Sequence, residues 1–296
     1  MRAEDLTPGQ PTPADRRVPA DRPPLDAGAL RRAVLRPGGL WRAVEVTAVT
    51  GSTNADLLAR ARAGAPEGLV LAAEEQSAGR GRMGRAWVAP PRAALTFSML
   101  VRPRAVPPAR RGWLPLLAGV AVASAVRAVA GVEARLKWPN DVLAGPAKLG
   151  GILAEAAGDA IVVGIGLNVS TEPAELPPPG PNPGAPGAPG SALAATSLRA
   201  QAGRLDREPL LTAILDGFER RYQAWIQAAG DPERCELRAE YTGLCATIGR
   251  RVRAELPGGQ LISGLAAGVD PDGRLVVRVP PDSEFPVAAG DVVHLR

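Results

Sequence analysis

From Trp41 to Thr50 the chain alternates apolar and polar residues, "WRAVEVTAVT", the period of a half-buried strand. The next stretch, "STNADLLARARAG", changes to helical spacing behind a Ser/Thr/Asn start suited to an N-cap, and runs to Gly64. "LVLAAEEQ" returns to strand character and leads into an arginine-glycine run at 79–87, "GRGRMGRAW", after which "ALTFSMLV" predicts another strand. A long apolar helix is expected over 109–130, entered through "VPPA" and closed by Gly131. "ARLKWP", "KLGGILAE" and "AIVVGIGLNVS" follow with short turns between them, as adjacent strands of a central sheet would. In "EPLLTAILDGFERRYQAWIQAAG", Leu210, Leu211, Ile214, Leu215, Phe218, Tyr222 and Trp225 fall near helical spacing, which predicts a helix packed on that sheet. After about Thr247 the texture changes to short β-type runs separated by "PGG" and "PDG" turns, the pattern of a small β-barrel.

Two segments stand apart from this pattern. Residues 1–38 are rich in Pro, Asp, Arg and Ala and read as a mostly disordered lead-in, with "LDAGALRRAVL" at 25–35 able to form one short helix. Residues 171–192 form a Pro/Gly-rich insertion without core-forming residues, expected as a flexible surface loop. The expected organisation is thus a lead-in over 1–38, an α+β domain of mixed sheet and helices over 39–246, and a barrel over 247–296.

At 296 residues the chain is long enough to bury a substantial core, and it has no signal-peptide pattern and no uninterrupted apolar run of membrane-spanning length. A cytoplasmic protein with no membrane partner is expected, and two cysteines, Cys235 and Cys245, fit a reducing compartment. The net charge of +5 is compatible with a nucleic-acid partner, but also with a plain preference for arginine. Of 35 basic residues only Lys137 and Lys148 are lysine, so a compact ammonium at these positions has a role that a guanidinium does not fill. His294 is the single histidine, which argues against a Ser-His-Asp triad or a histidine-based zinc site, and no resident metal site is predicted.

The candidate chemistry lies in a few short stretches. Glycines around Arg80, Arg82 and Arg85 supply positive φ and close backbone approach, so the loop can clamp carboxylate or phosphate oxygens; a solvated basic turn is the plain alternative. Trp87 either covers a flat ligand or anchors the loop in the core. In "LKWPNDVL", Lys137 ends a strand while Pro139 enforces an extended path. Gly150 and Gly151 leave the following strand bare, and Asn168 in "GIGLNVS" can face the same cleft. "GSTN" at 51–54 offers hydroxyls and an amide to a neutral polar ligand, although helix capping accounts for it equally.

Taken in order, GSTN, Q-x-x-GRGRxGRxW, KWPND, KxGGIL and GxGLNV resemble the biotin protein ligases, the biotin–[acetyl-CoA-carboxylase] ligases, over roughly Val44 to Arg296. The resemblance implies a catalytic domain similar to class II aminoacyl-tRNA synthetases and a C-terminal Src-homology-3-like barrel. It implies activation of biotin by ATP and Mg²⁺ to biotinyl-5′-AMP, then transfer to a lysine of a biotin carboxyl carrier protein, by a monomer or a homodimer. Ser52, Thr53 and Gln76, with Asn54 nearby, would meet the biotin ureido ring, and Arg80, Gly81 and Arg82 match the biotin loop. Arg82, Arg85 and Trp87 would meet phosphates and adenine, with Asn168 lining the adenine pocket. Lys137 would bridge the biotin carboxylate and the α-phosphate, acting with Arg80 and Arg82 as the catalytic group. Met83 stands where some relatives have arginine and is given no contact.

The sequence before Trp41 is too short for the helix-turn-helix that lets some relatives act on DNA, so no sequence-specific DNA binding is expected. The rival readings are a lipoate or octanoate ligase of related fold and an arginine-glycine RNA-binding module, the latter disfavoured by scarce aromatics. If the 79–87 loop closes over biotin and AMP to keep water from the mixed anhydride, proteolytic cutting within it slows when biotin and ATP are added. Unchanged cutting would count against a closing loop.

Overall fold

A computed structural model describes residues 18–178, 193–256, 259–281, 283–288 and 290–295. The first helix, α1 (Ala27–Val34), is capped by Asp26, whose carboxylate accepts the N–H groups of Gly28 and Ala29 and so satisfies two donors that a helix start leaves open. Its Leu30 and Val34, with Leu25 before it, are buried in the main core, and α1 packs on β1 (Ala43–Thr50) and α5 (Arg207–Gln227). The expected disordered lead-in therefore does not extend to residue 38. Its apolar stripe is short but has a surface to cover, while residues 1–17 lie outside the described residues.

The sheet places its strands in the order β1-β2-β3-β7-β6-β5-β4. β1 and β2 (Leu69–Gln76) run parallel around α2 (Thr53–Arg62), and every other pairing is antiparallel among β3 (Ala94–Val101), β4 (Ala134–Lys137), β5 (Asp141–Ala144), β6 (Ala147–Ala157) and β7 (Ala160–Asn168). All nine residues of β7 are buried, as a strand covered on both faces requires.

One face of the sheet packs on α3 (Trp113–Ala130), entered through a 3₁₀ turn at Pro108–Gly112 and closed by Gly131 at φ 63°. This helix is long and apolar enough to cross a membrane, but two-thirds of it is buried inside the protein, which makes it a core helix. α5 lies against it and buries all seven of the apolar positions predicted for its stripe. Two shorter helices, α4 (Leu198–Ala202) and α6 (Leu237–Leu244), complete this part. The 171–192 insertion is ordered at its start, where Pro173–Glu175 forms a 3₁₀ turn with a capping box, and residues 179–192 lie outside the described residues.

Five antiparallel strands form the C-terminal sheet in the order β11-β10-β9-β8-β12: β8 (Arg251–Glu255), β9 (Leu261–Val269), β10 (Leu275–Val279), β11 (Ser283–Val287) and β12 (Asp291–His294). Two buried tryptophans fasten it to the first domain: Trp113 Nε1 donates to the Pro271 carbonyl at 3.0 Å and Trp138 Nε1 to that of Gly273 at 3.2 Å. Gly112 permits the approach, since a Cβ there would lie 2.5 Å from the Asp272 carbonyl oxygen.

At the same seam Trp138 N donates to Thr247 Oγ1, which lies 3.0 Å from His294 Nε2. Burial, with Lys137 and Arg250 adding to it, lowers the His294 pKa to about 4. The folded ring is therefore neutral between pH 4 and its ordinary value of 6.5, where the unfolded chain takes up the proton. This contribution is fully present above pH 6.5 and is lost as pH falls towards 4. His294→Gln should flatten the pH dependence of the urea midpoint across that window, and an unchanged slope would remove His294 from the seam's titration.

Candidate active site

The other face of the sheet is where the chain has omitted side chains. β6 and β7 pair Gly151 with Gly166 and Leu153 with Gly164, and β3 sets Thr96 beside Gly166 and Ser98 beside Gly164. Because alternate residues share a face, Ser98, Thr96, Gly164, Gly166, Gly151 and Asn168 form one floor. Above it is a cavity of about 800 Å³ whose walls include the "GSTN" helix start, the arginine-glycine loop, "KWPND" and residues of the C-terminal sheet. Of the two glycines in "KLGG", only Gly151 faces this cavity. Gly150 serves strand packing, because a Cβ there would stand 2.5 Å from the Gly166 carbonyl oxygen.

The α2 end of the cavity is polar and cross-linked by hydrogen bonds. Ser52 caps the helix by accepting the Ala55 N–H. Thr53 donates its backbone N–H to Gln76 Oε1 at 2.8 Å, and its hydroxyl lies 2.7 Å from Ser98 Oγ. Ser98 donates to Asn54 Oδ1 at 2.6 Å, and Asn54 Nδ2 donates to Glu155 Oε2 and the Leu153 carbonyl. Asn54 sits directly on Gly164, where a Cβ would fall 2.1 Å from its Oδ1. Ser98 was absent from the residues selected by sequence. The signal available was a hydroxyl in the middle of the apolar strand "ALTFSMLV".

The arginine-glycine loop is folded back on itself by a bridge between Arg80 and Ala86 and by hydrogen bonds from Gly81 N to the Arg85 carbonyl and Trp87 N to that of Gly79. The glycines serve it differently from expectation: only Gly84 has positive φ, at 73°, and Met83 at the exposed tip shares that region at 54°. Gly79 is needed for close approach, because a Cβ would meet the Trp87 carbonyl oxygen at 2.4 Å. Trp87 lies over Gly166, where a Cβ would reach its ring at 2.5 Å, and its Nε1 is buried without a hydrogen-bond partner among the described residues. Trp87 thus anchors the loop on the sheet, and it does so as part of the cavity lining.

Arg82 reaches across to Asn140 Oδ1 at 3.0 Å, and Arg85 forms an ion pair with Asp291 of the C-terminal sheet. Arg80 is exposed at the rim. Lys137 and Lys148 both line the cavity; Lys137 pairs across the strands with Asp141, whose Oδ1 lies 2.6 Å from Lys148 Nζ. Burial lowers the Lys137 pKa; Asp141 opposes that shift, while Lys148 and Arg85 add to it. Arg82 is lowered for the same leading reason, with Asp141 opposing and Arg85 adding. Four cations therefore crowd one half-buried space, which favours a polyanion that would relieve their repulsion. Lys148 and Asp141 were not among the selected site residues, although the rarity of lysine pointed to the first. Asn168 lines the far end of the cavity and donates to the Thr196 carbonyl at 2.9 Å.

The biotin/lipoate A/B protein ligase family matches residues 46–171, and the biotin protein ligase C-terminal domain matches residues 247–295. The chain is 46% identical to the biotin–[acetyl-CoA-carboxylase] ligase of Mycobacterium tuberculosis, over 93% of this chain and 97% of that protein. The chain belongs to the biotin protein ligase family. It is also 32% identical to the bifunctional ligase/repressor BirA of Bacillus subtilis, over 77% of this chain and 67% of that one. Among solved structures, the Aquifex aeolicus biotin protein ligase in complex with biotin and ATP matches with a TM-score of 0.69 at 24% identity, covering 86% of this chain and all of that one. The Leishmania major ligase with biotinyl-5-AMP matches at 0.54 and 23%, covering 83% and 98%. The family's α+β catalytic fold and small C-terminal β-domain are thus those expected from the sequence motifs.

Substituting Gly164→Ala should force Asn54 from its seat and destabilise this ligase-family chain by about 1–3 kcal/mol, the usual cost of overpacking. In denaturant titration, adding Asn54→Ala should recover part of that loss, because the two sites share one volume. Fully additive losses would mean that Asn54 does not occupy the space above Gly164.

Proposed function

We propose that the chain is an ATP-dependent biotin ligase that forms biotinyl-5′-AMP and passes the biotinyl group to a lysine of a biotin carboxyl carrier domain. The observation that carries this reading is the cavity's division into a neutral hydrogen-bonding end and a cationic middle, the two chemistries of a ureido ring and a carboxylate meeting a nucleotide. Ser52, Thr53, Asn54 and Gln76 take the ureido ring, with Ser98 orienting them. A lipoyl or octanoyl group has no polar head to use such an end, so the same geometry favours biotin over the lipoate reading.

In the first step a biotin carboxylate oxygen attacks the α-phosphorus of ATP and pyrophosphate leaves. Like charges oppose that approach, and Arg80, Arg82, Lys137 and Lys148 screen it while fixing the two oxygens in line. Lys148 is held by Asp141 before the substrates arrive, and Lys137 is the residue paired with Asp141 on the neighbouring strand. Arg85 and Trp87 meet the phosphates and adenine, and Asn168 lies at the adenine end. In the second step the carrier lysine's neutral amine attacks the acyl carbon, AMP leaves and the extra proton passes to solvent. A loop over 79–87 that excludes water protects the anhydride between the steps.

Magnesium enters with the nucleotide, as part of the substrate. The carboxylates beside the cations are Asp141, paired with Lys148, and Asp291, paired with Arg85, a donor set suited to an ion carried mainly by phosphates. The barrel over 247–296 and the catalytic domain over 39–246 would close the site jointly, since Asp291 engages the loop. A cytoplasmic location follows from where carrier domains and ATP are found.

With labelled biotin, MgATP and a carrier domain, Lys137→Ala and Lys148→Ala should each lower the rate of labelling by about a hundredfold or more, as loss of one preorganised donor does. Near-normal labelling by either variant would remove that lysine from the centre. Biotin-dependent pyrophosphate exchange separates the rivals, for exchange supported by lipoate and not by biotin would overturn the assignment.

A further inference from the structure

The segment before α1 is pinned to the sheet end at which Asn168 lies. Arg22 is buried, and its guanidinium donates to Glu175 Oε1 at 3.1 Å, to Glu175 Oε2 at 2.5 Å and to the Ser170 carbonyl at 2.8 Å. Beside it, Asp21 pairs with Arg199 at 2.5 Å, and Arg199 also pairs with Glu172 at 2.7 Å. Glu175 and Glu172 form the capping box of the 3₁₀ turn that follows β7, so both of the turn's acidic side chains are held from outside it. Burial works to raise the Glu175 pKa, but Arg22 and the Glu172 N–H outweigh it and hold the carboxyl below its ordinary range.

A second layer locks the same strap from beneath. Glu74 Oε1 accepts the Leu25 N–H at 2.6 Å, its Oε2 pairs with buried Arg207 at 2.7 Å, and Arg207 Nη2 donates to the Pro23 carbonyl at 2.7 Å. Buried charges of this kind persist only when paired and hydrogen-bonded, so the strap's path is strongly specified. What it supports is a wall of the cavity, whose lining there is Asn168, Glu175, Pro177, Pro178, Leu193 and Ala195.

We propose that Arg22 is a positioning residue for nucleotide binding, acting through Glu175 to hold the 168–178 wall against the adenine end of the cavity. The inference rests on the ligase reading for the identity of the ligand, but the clamp itself does not. The contact is remote from the polar end at Ser52–Asn54, so its loss falls on one substrate. Exposed ion pairs contribute little, and the effect is expected from buried Arg22 in preference to Arg199, whose guanidinium is partly exposed.

In the full chain, Arg22→Ala should raise KM for MgATP by about tenfold, the effect of losing one hydrogen bond to a charged group, while KM for biotin and kcat at saturating ATP stay near their unsubstituted values. Glu175→Ala should do the same, and the double variant should be no worse than the poorer single one. Additive effects, or equal rises in both KM values, would overturn the inference. Amide hydrogen exchange without ligands reads the clamp directly: Arg22→Ala should speed exchange across 169–178 and leave α2 unchanged. Unaltered protection there would sink the clamp, whereas an unsubstituted chain lacking biotin-dependent pyrophosphate exchange would sink the ligase reading instead.

Discussion

Three strand positions without side chains, Gly151, Gly164 and Gly166, make the cavity possible. Any Cβ at Gly164 or Gly166 would strike Asn54 or Trp87, so the α2 start and the arginine-glycine loop can both descend onto the sheet only because the floor is bare. The hydroxyl of Ser98 then has a partner to orient, and the loop's cations are drawn close to "KWPND" from the opposite side. The floor spacing governs the site in a way that no single charged residue does.

Upon that floor the charges are unequal. Arg82, Arg85, Lys137 and Lys148 are gathered around Asp141 and Asp291, and burial disfavours the charge on Lys137 and Arg82. A half-buried excess of positive charge costs stability, and the cost is offset when an anion enters. The C-terminal domain takes part in this balance, because Asp291 pairs with Arg85 and the Gly290 carbonyl accepts from Arg82 at 3.4 Å. Two buried tryptophans and the Thr247–His294 contact set where that carboxylate stands.

Much of this was legible along the chain. The stripe from Leu210 to Trp225, the apolar helix ended by Gly131 and the β-rich tail carry local periods and punctuation that depend on no distant partner. The candidate residues Ser52, Thr53, Asn54, Gln76, Arg80, Gly81, Arg82, Arg85, Trp87, Lys137 and Asn168 all line one cavity. Ser98 was hidden because a single hydroxyl within an apolar strand has meaning only once its facing neighbours are known. The ordered strap around Arg22 was hidden for a related reason: a Pro-, Asp- and Arg-rich segment matches a disordered composition unless Glu74, Glu175 and Arg207 stand ready to pair with it.

By itself the sequence determined the elements, the chemistry gathered in its short motifs and the family to which those motifs belong, because each is written in residues close together in the chain. Only the tertiary structure decided which glycine faces the cavity, which lysine meets Asp141, and which barrel carboxylate meets the loop. Those outcomes depend on strand register and on pairs more than a hundred residues apart, such as Arg85 with Asp291. A one-residue change of register would turn the bare floor to the other face of the sheet, and no local pattern records that distance.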